Sequence, residues 1–269
     1  MCGRYAASRS PDDLVEEFEV DERPEAVLPA DYNVAPTKEV YAVVERHRAD
    51  EDGAPVVRRQ LRIARWGLVP SWAKDPTIGS RLINAREETI ATKPAFRKAF
   101  ARRRCLLPAD GYYEWWTPPD GSGSGGSKKP AKQPFFIHPK DGRSLAMAGL
   151  YEFWRDRTRD EADPLSWWTT VTVITTSAED AVGRIHDRMP LLVEAERWHD
   201  WLDPERDGIA DPGSLTSLLV PAAPGRLAAY PVTTAVNDVR HNGPELLSPL
   251  PDDEVADDEP PGNTEATLF

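Results

Sequence analysis

Hydrophobic runs in this chain are short, β-rich and closely punctuated, and they never alternate regularly with helical segments. Residues 40–45, 56–63, 105–107, 112–116, 135–138, 145–154 and 168–175 are runs rich in branched and aromatic residues, the composition of strands. Twenty-six prolines and seventeen glycines cut the chain between such runs. A doubly wound parallel sheet needs a crossover of a dozen or more residues, usually a helix, between successive strands, and that alternation is missing here. The expected fold is therefore α+β. It is one β-rich domain of mainly antiparallel strands in a barrel-like core, with a few surrounding helices. With 269 residues, 40% of them hydrophobic, the chain can bury a core of that size.

Local signals fill in the rest. Ser10-Pro11-Asp12-Asp13 reads as an N-cap, a proline at the first helical position and acids in the first turn, so a short helix should run to Phe18. Residues 21–30 read as a proline-punctuated loop, and Glu51-Asp52-Gly53 as a hairpin turn. Pro94 can open a helix to about Arg102, with Phe96 and Phe100 on one face. A charged turn is expected over 155–164, helices over 194–202 and 214–219, and a last strand over 230–236. Residues 117–133 are low in complexity, with Gly/Ser repeats and Lys128, Lys129 and Lys132, and read as a flexible loop inside the domain. The domain should occupy residues 1–249. Residues 250–269 should form an acidic, disordered tail.

Charge is unevenly spread. The net charge is −12, yet the last twenty residues hold seven acids and no Lys or Arg, and without them the balance is −5. Residues 56–104 carry thirteen Lys/Arg against three acids, a block of +10 that reads as a phosphate footprint or as a solvated helix face. No stretch approaches a membrane span, and the N-terminus lacks a secretory pattern. Cys2 and Cys105 make no disulfide framework, and no ligand spacing suggests a metal. The expectations are a cytoplasmic monomer with no metal, no cofactor and no membrane association.

Five motifs carry chemistry. They are Met1-Cys2-Gly3-Arg4-Tyr5, then Tyr32-Asn33-Val34-Ala35-Pro36-Thr37, then Trp66-Gly67-Leu68-Val69-Pro70-Ser71-Trp72 followed by Asn84-Ala85-Arg86-Glu87-Glu88. Gly111-Tyr112-Tyr113-Glu114-Trp115 and His186-Asp187-Arg188-Met189-Pro190 complete them. Removal of Met1 would leave Cys2 as a 1,2-aminothiol, which can condense with an aldehyde to a thiazolidine. Glu114 in an aromatic run suits a general acid/base with a raised pKa, or an edge-strand carboxylate facing water. His186 can titrate near neutrality or serve as a structural histidine. Asn84 can orient a substrate or cap the following turn. Arg4, Arg86 and Arg188 can grip phosphates. Trp66 and Trp72 can stack on a base or pack in the core.

Together, and in this order, the motifs resemble the SOS-response-associated peptidase family, the abasic-site processing proteins. The resemblance runs from Cys2 to about Pro249. It implies a covalent crosslink between Cys2 and abasic sites in single-stranded DNA, with Asn84, Glu114 and His186 around the nucleophile. It further implies phosphate contacts at Arg4, Arg86 and Arg188, further DNA contacts at Thr175, Asn33 and Pro36, removal of Met1 by the protein itself, and association with the nucleoid when bound to damaged DNA. Two rivals stay open: a thiol peptidase using Cys2, His186 and Glu114 with no DNA role, and a non-covalent single-strand reader.

Overall fold

The computed structural model describes residues 2–117, 132–178, 180–209 and 212–251; most of the Gly/Ser/Lys segment and the acidic tail from residue 252 lie outside the described residues. The strands, in chain order, are β1 (Tyr5–Ala7), β2 (Asp31–Val34), β3 (Glu39–Ala49), β4 (Pro55–Trp66), β5 (Asn84–Arg86), β6 (Arg104–Ala109), β7 (Gly111–Trp116), β8 (Gln133–Pro139), β9 (Leu145–Arg155), β10 (Trp167–Ser177), β11 (Arg188–Pro190) and β12 (Leu227–Pro231). Among the described residues the α-helices are short: α1 (Pro11–Glu17), α2 (Arg97–Arg102), α3 (Asp180–Gly183), α4 (Trp198–Leu202) and α5 (Pro212–Thr216).

β3 and β4 form the long hairpin, in register from Glu39↔Arg65 to Ala49↔Pro55. Its turn is built by Asp50, whose carboxylate accepts from the Asp52 and Ala54 amides at 3.0 and 2.7 Å, and by Gly53 at φ 83°. β3 then meets β6, β6 meets β9, β9 meets β10 over Trp167↔Arg155 to Val173↔Gly149, and β10 returns to β4. The β10–β4 pairing is parallel, Thr170↔Arg65 and Val171↔Trp66, while the other four are antiparallel. Five strands thus close a ring, a barrel-like sheet without the uniform staggering of a true barrel. β5 runs parallel beside the last residues of β10, and β11 runs antiparallel on its other side.

Strand alternation sorts the core. One face of the ring carries Ala42, Val44, Trp66, Cys105, Leu107, Met147, Tyr151, Val171 and Val173. The other carries Tyr41, Val43, Leu61, Leu106, Leu150 and Ile174, which pack against Leu14 and Phe18 at α1, Phe96 and Phe100 at α2, and Trp198 and Trp201 at α4. A second sheet, ordered β12-β8-β7-β1-β2, sits against the first face. β7 divides between two clusters: Tyr112 and Trp116 join the ring side with Tyr5 and Cys2, while Tyr113 joins Phe136, Val232, Val236 and Leu246.

Several expectations shift. The last strand ends at Pro231, and Thr234–Asn237 turn as a 3-10 helix, because proline cannot continue the ladder. Residues 94–96 are not part of the helix, which begins at Arg97. Residues 195–197 are 3-10 before α4 begins at Trp198, and the helix expected over 214–219 lies at Pro212–Thr216. No helix among the described residues is long and apolar enough to cross a membrane.

Candidate functional site

β1 lies between β7, the central strand of the five-stranded sheet, and the edge strand β2. Its register with β7, Tyr5↔Tyr112 and Ala6↔Gly111, continues upstream: the Tyr113 amide donates to the Arg4 carbonyl at 2.9 Å. Extending that ladder brings Glu114 level with Gly3, next to Cys2. Cys2 is fully buried. Its carbonyl accepts from Asn84 Nδ2 at 2.7 Å, and its Sγ lies 3.9 Å from the Arg4 carbonyl. Asn84 reaches it because β5 lies level with Val173 of β10. The turn after Asn84 has no side-chain cap, so the capping role is not the one Asn84 takes. Asn84 Oδ1 is buried with no hydrogen-bond partner among the described residues, so it can accept from a ligand.

Glu114 is buried beside Cys2 and near His186, and burial pushes its carboxyl up. Burial also pushes the Cys2 thiol well up, and the Glu114 charge adds to that, so the resting sulfur is a neutral thiol. His186 Nδ1 faces two groups it cannot satisfy together as a neutral ring: the Arg188 amide at 3.0 Å and the Asp187 carboxylate at 2.9 Å. The main-chain N–H is a fixed donor and Asp187 is exposed. Nδ1 is therefore assigned as acceptor, which places the proton on Nε2.

The expected DNA contacts separate into groups. Arg86 lies exposed on β5, opposite Thr175 of β10, and has no ion pair among the described residues. Arg188 is committed internally: it pairs with Glu88 and donates to the Thr175 carbonyl at 2.6 Å. That pairing holds the Glu88 carboxyl below the usual range. Thr175 itself is buried, its hydroxyl 3.4 Å from Arg188. Arg4 donates to Asn33 Oδ1 at 2.6 Å and to the Val236 carbonyl at 2.8 Å, and burial lowers its pKa. Asn33 is fully buried, and its amide donates to the carbonyls of Val236, Asp238 and His241. Asn33 therefore pins the 236–241 segment and has no donor left for DNA. Trp66 is likewise corrected: it is fully buried, 5.0 Å from the Tyr5 ring, with Nε1 donating to the Ile83 carbonyl. Trp72 is 55% exposed and keeps an open ring face. Pro36 is half-buried beside Thr37, whose φ of 74° is unusual for a β-branched residue.

The basic block of residues 56–104 does not form one face. Arg59 pairs with Glu45, Arg102 with Asp207 and Arg103 with Glu152. Arg104 is buried and donates to five carbonyls, those of Phe100, Ala101, Trp201, Asp203 and Arg206; burial lowers its pKa to about 10. The sequence reading also missed Tyr112, whose buried hydroxyl has no partner among the described residues and lies near Cys2 and Glu114. Its place in Tyr112-Tyr113-Glu114, two residues before Glu114 on a strand, is the signal that would have found it. A solvent-open groove lined by Leu145, Met189, Leu192 and Leu227 among others contains none of Cys2, Asn84, Glu114 or His186. Among the described residues, no group of His, Cys, Asp or Glu could hold a metal ion.

A closed strand ring with a buried cysteine and glutamate and a half-buried asparagine and histidine, gathered near β1, β5 and β7, defines a class, and comparison identifies it. The model of the SOS response associated peptidase (SRAP) family matches residues 1–239, and the chain belongs to that family. Among its relatives, the abasic site processing protein YoqW of Bacillus subtilis is 38% identical over 92% of this chain and 99% of its own. YedK of Escherichia coli, also named an abasic site processing protein, is 33% identical over 93% and 100%. A crystal structure of a Bacteroides thetaiotaomicron protein shares the fold, with TM-score 0.69 and 23% identity over 93% of this chain and 100% of that one.

Proposed function

We propose that this protein captures abasic sites in single-stranded DNA covalently, through Cys2, once Met1 has been removed. The observation that carries this reading is the hydrogen bond from Asn84 to the Cys2 carbonyl, which fixes the start of the chain beside Glu114 and His186. The names of the relatives support the substrate.

The ring-opened sugar of an abasic site exposes an aldehyde at C1′. The Cys2 amine adds to it, and the adduct loses water to give a Schiff base. The thiol then adds across the C=N bond: sulfur bonds to C1′ and its proton ends on nitrogen. The net change is aldehyde plus aminothiol to thiazolidine plus water. A carboxyl with a raised pKa can give a proton to the departing hydroxyl and take one from a neutral thiol, which is the state burial imposes on Cys2. His186 Nε2–H can donate to the sugar ring oxygen as the ring opens. Holding amine and thiol on one residue makes closure intramolecular, with high effective molarity. The thiazolidine also stops the Schiff base from driving strand cleavage by elimination. A peptidase acting through a Cys2 thiolate fits less well, because burial and Glu114 both oppose the thiolate.

The test is incubation with single-stranded DNA carrying one abasic site, after the mass of the mature N-terminus has been checked. A heat-stable shifted band is expected without added reductant, and Cys2→Ala should abolish it. No band from a chain that begins at Cys2 sinks the proposal.

A further inference from the structure

The ring has two ends. β10 reaches Val173, level with Asn84, at the end where Cys2 sits. Four residues earlier, about 13 Å along the strand, Thr169 lies level with Phe153 at the opposite end. Alternation puts Tyr151 and Phe153 of β9, Arg46 of β3 and Arg62 of β4 on the same face of the ring at this far mouth.

The donors there outnumber the acceptors among the described residues. The Arg46 guanidinium lies 5.1 Å over the Phe153 ring. Arg62 is half-buried, and its Nε donates to Gln60 Oε1 at 2.9 Å. Neither has a carboxylate partner among the described residues, whereas Arg48 and Arg58 close by each have one. Arg62 is disfavoured as a cation first by burial and then by Arg46 and Arg48, with Tyr151 and Glu22 opposing. Tyr151 is 4% exposed, its hydroxyl makes no hydrogen bond to a described residue, and the fields of Arg46, Arg103 and Arg62 converge on it. Arg103 spends Nη2 on Glu152 at 2.8 Å, but its buried Nε has no partner among the described residues. Clustered, partly desolvated guanidiniums beside an unpaired hydroxyl are costly unless a multivalent acceptor meets them. A tetrahedral oxyanion is such an acceptor, and planar guanidinium forks match its edges.

We propose that this far mouth is a second anion site, separate from Cys2, that holds a phosphate group between Arg46 and Arg62 with the Tyr151 hydroxyl as a third donor. The phosphate has two possible sources: a free phosphate, or a phosphodiester of a nucleic acid strand. Phe153 and the apolar ring wall exclude water from one side of the bound group, which strengthens the charge-assisted bonds.

The test uses the full chain and two probes, inorganic phosphate and an unmodified single-stranded 12-mer, each titrated against wild type, Arg46→Gln, Arg46→Gln/Arg62→Gln and Tyr151→Phe. Saturable phosphate binding is expected in the wild type. It should weaken about tenfold in Arg46→Gln, the loss expected for one charge-assisted contact. If a strand is the source, the double variant also lowers the slope of log affinity against log salt for the 12-mer by about 1.4, two contacts at about 0.7 each. If the slope is unchanged while phosphate binding falls, the ligand is free phosphate. If neither probe responds to Arg46→Gln or Tyr151→Phe, the site is refuted. Arg46→Gln and Tyr151→Phe decide the matter should the double variant fail to fold. Capture at Cys2 does not use these residues, so an abasic crosslink that survives in Arg46→Gln separates this outcome from that of the proposed function.

Discussion

Glu114 stores strain in the form of an unwelcome charge. Its carboxyl is pushed up by burial, so the folded state favours the protonated form more than the unfolded chain does. The sign follows: this group's contribution to stability is fully present below the ordinary carboxylate pKa and is lost as pH rises through the folded value. Glu114→Gln removes the ionisation. The variant should melt above wild type by a margin that is small at about pH 4 and grows toward about pH 8, while losing capture of abasic DNA. Thermal melts across that range check it, and a margin that shrinks with pH would contradict the assignment. Asn84→Ala removes the anchor of the Cys2 carbonyl. A single hydrogen bond is worth about 1 kcal/mol, or about 2–4 °C in a chain of this size. Crosslinking should fall much further than stability, because the nucleophile loses its position. The motifs singled out Cys2, Asn84, Glu114 and His186 as candidates, and folding brings the four close together. Asn33 and Trp66 were misread because a motif does not say which way a side chain points. Strand parity and a neighbouring carbonyl turned both inward.

Elements with strong local chemistry were legible. Ser10 caps α1 with a reciprocal capping box to Asp13, as its spacing suggests, and the β3–β4 hairpin turns at Gly53. β7, which carries Glu114, was anticipated, but β1, β5 and β11 beside the site are each three residues long and were not. Such strands exist through their partners, and no hydrophobic period can be read in three residues. The turn after β4 shows how tertiary contact overrides local pattern. Gly67 has φ 125°, and a Cβ built there would lie 2.7 Å from the Gly79 carbonyl oxygen. Gly53 has φ 83° but open space around it. Gly53→Ala should therefore cost about 1–2 kcal/mol from the left-handed backbone alone. Gly67→Ala adds a backbone clash to that cost, and should lower the melting temperature substantially more. It should also disturb Trp66, whose indole packs on Tyr5 in β1. Equal losses in the two variants would show that the Gly67–Gly79 approach is not tight in solution.

At the scale of the whole molecule, folding redistributes charge in a way the sequence hides. The basic block of +10 across residues 56–104 reads in the sequence as a phosphate footprint or a solvated helix face. Alternation and the helix α2 scatter it instead, and Arg59, Arg102, Arg103 and Arg104 are absorbed by carboxylates and carbonyls on different sides. Near Cys2, Arg188 is paired with Glu88, and Arg4 is held by the neutral oxygens of Asn33 and Val236. Arg86, exposed on β5 two residues from Asn84, is a cation beside the site with no ion pair among the described residues. Capture should therefore be salt-sensitive through few contacts, with yields at subsaturating protein falling as salt rises. Arg86→Ala should reduce the slope of log affinity against log salt by about 0.7, one contact's share on a single strand. Arg102→Ala, whose guanidinium is bound to Asp207 on the outside of the ring, should leave that slope unchanged. Titrations of an abasic 12-mer at several salt concentrations with Cys2→Ala as the non-crosslinking background measure both slopes. If the Arg102 variant moves the slope as far as the Arg86 variant does, the strand follows the basic block after all rather than the β5 edge beside Cys2.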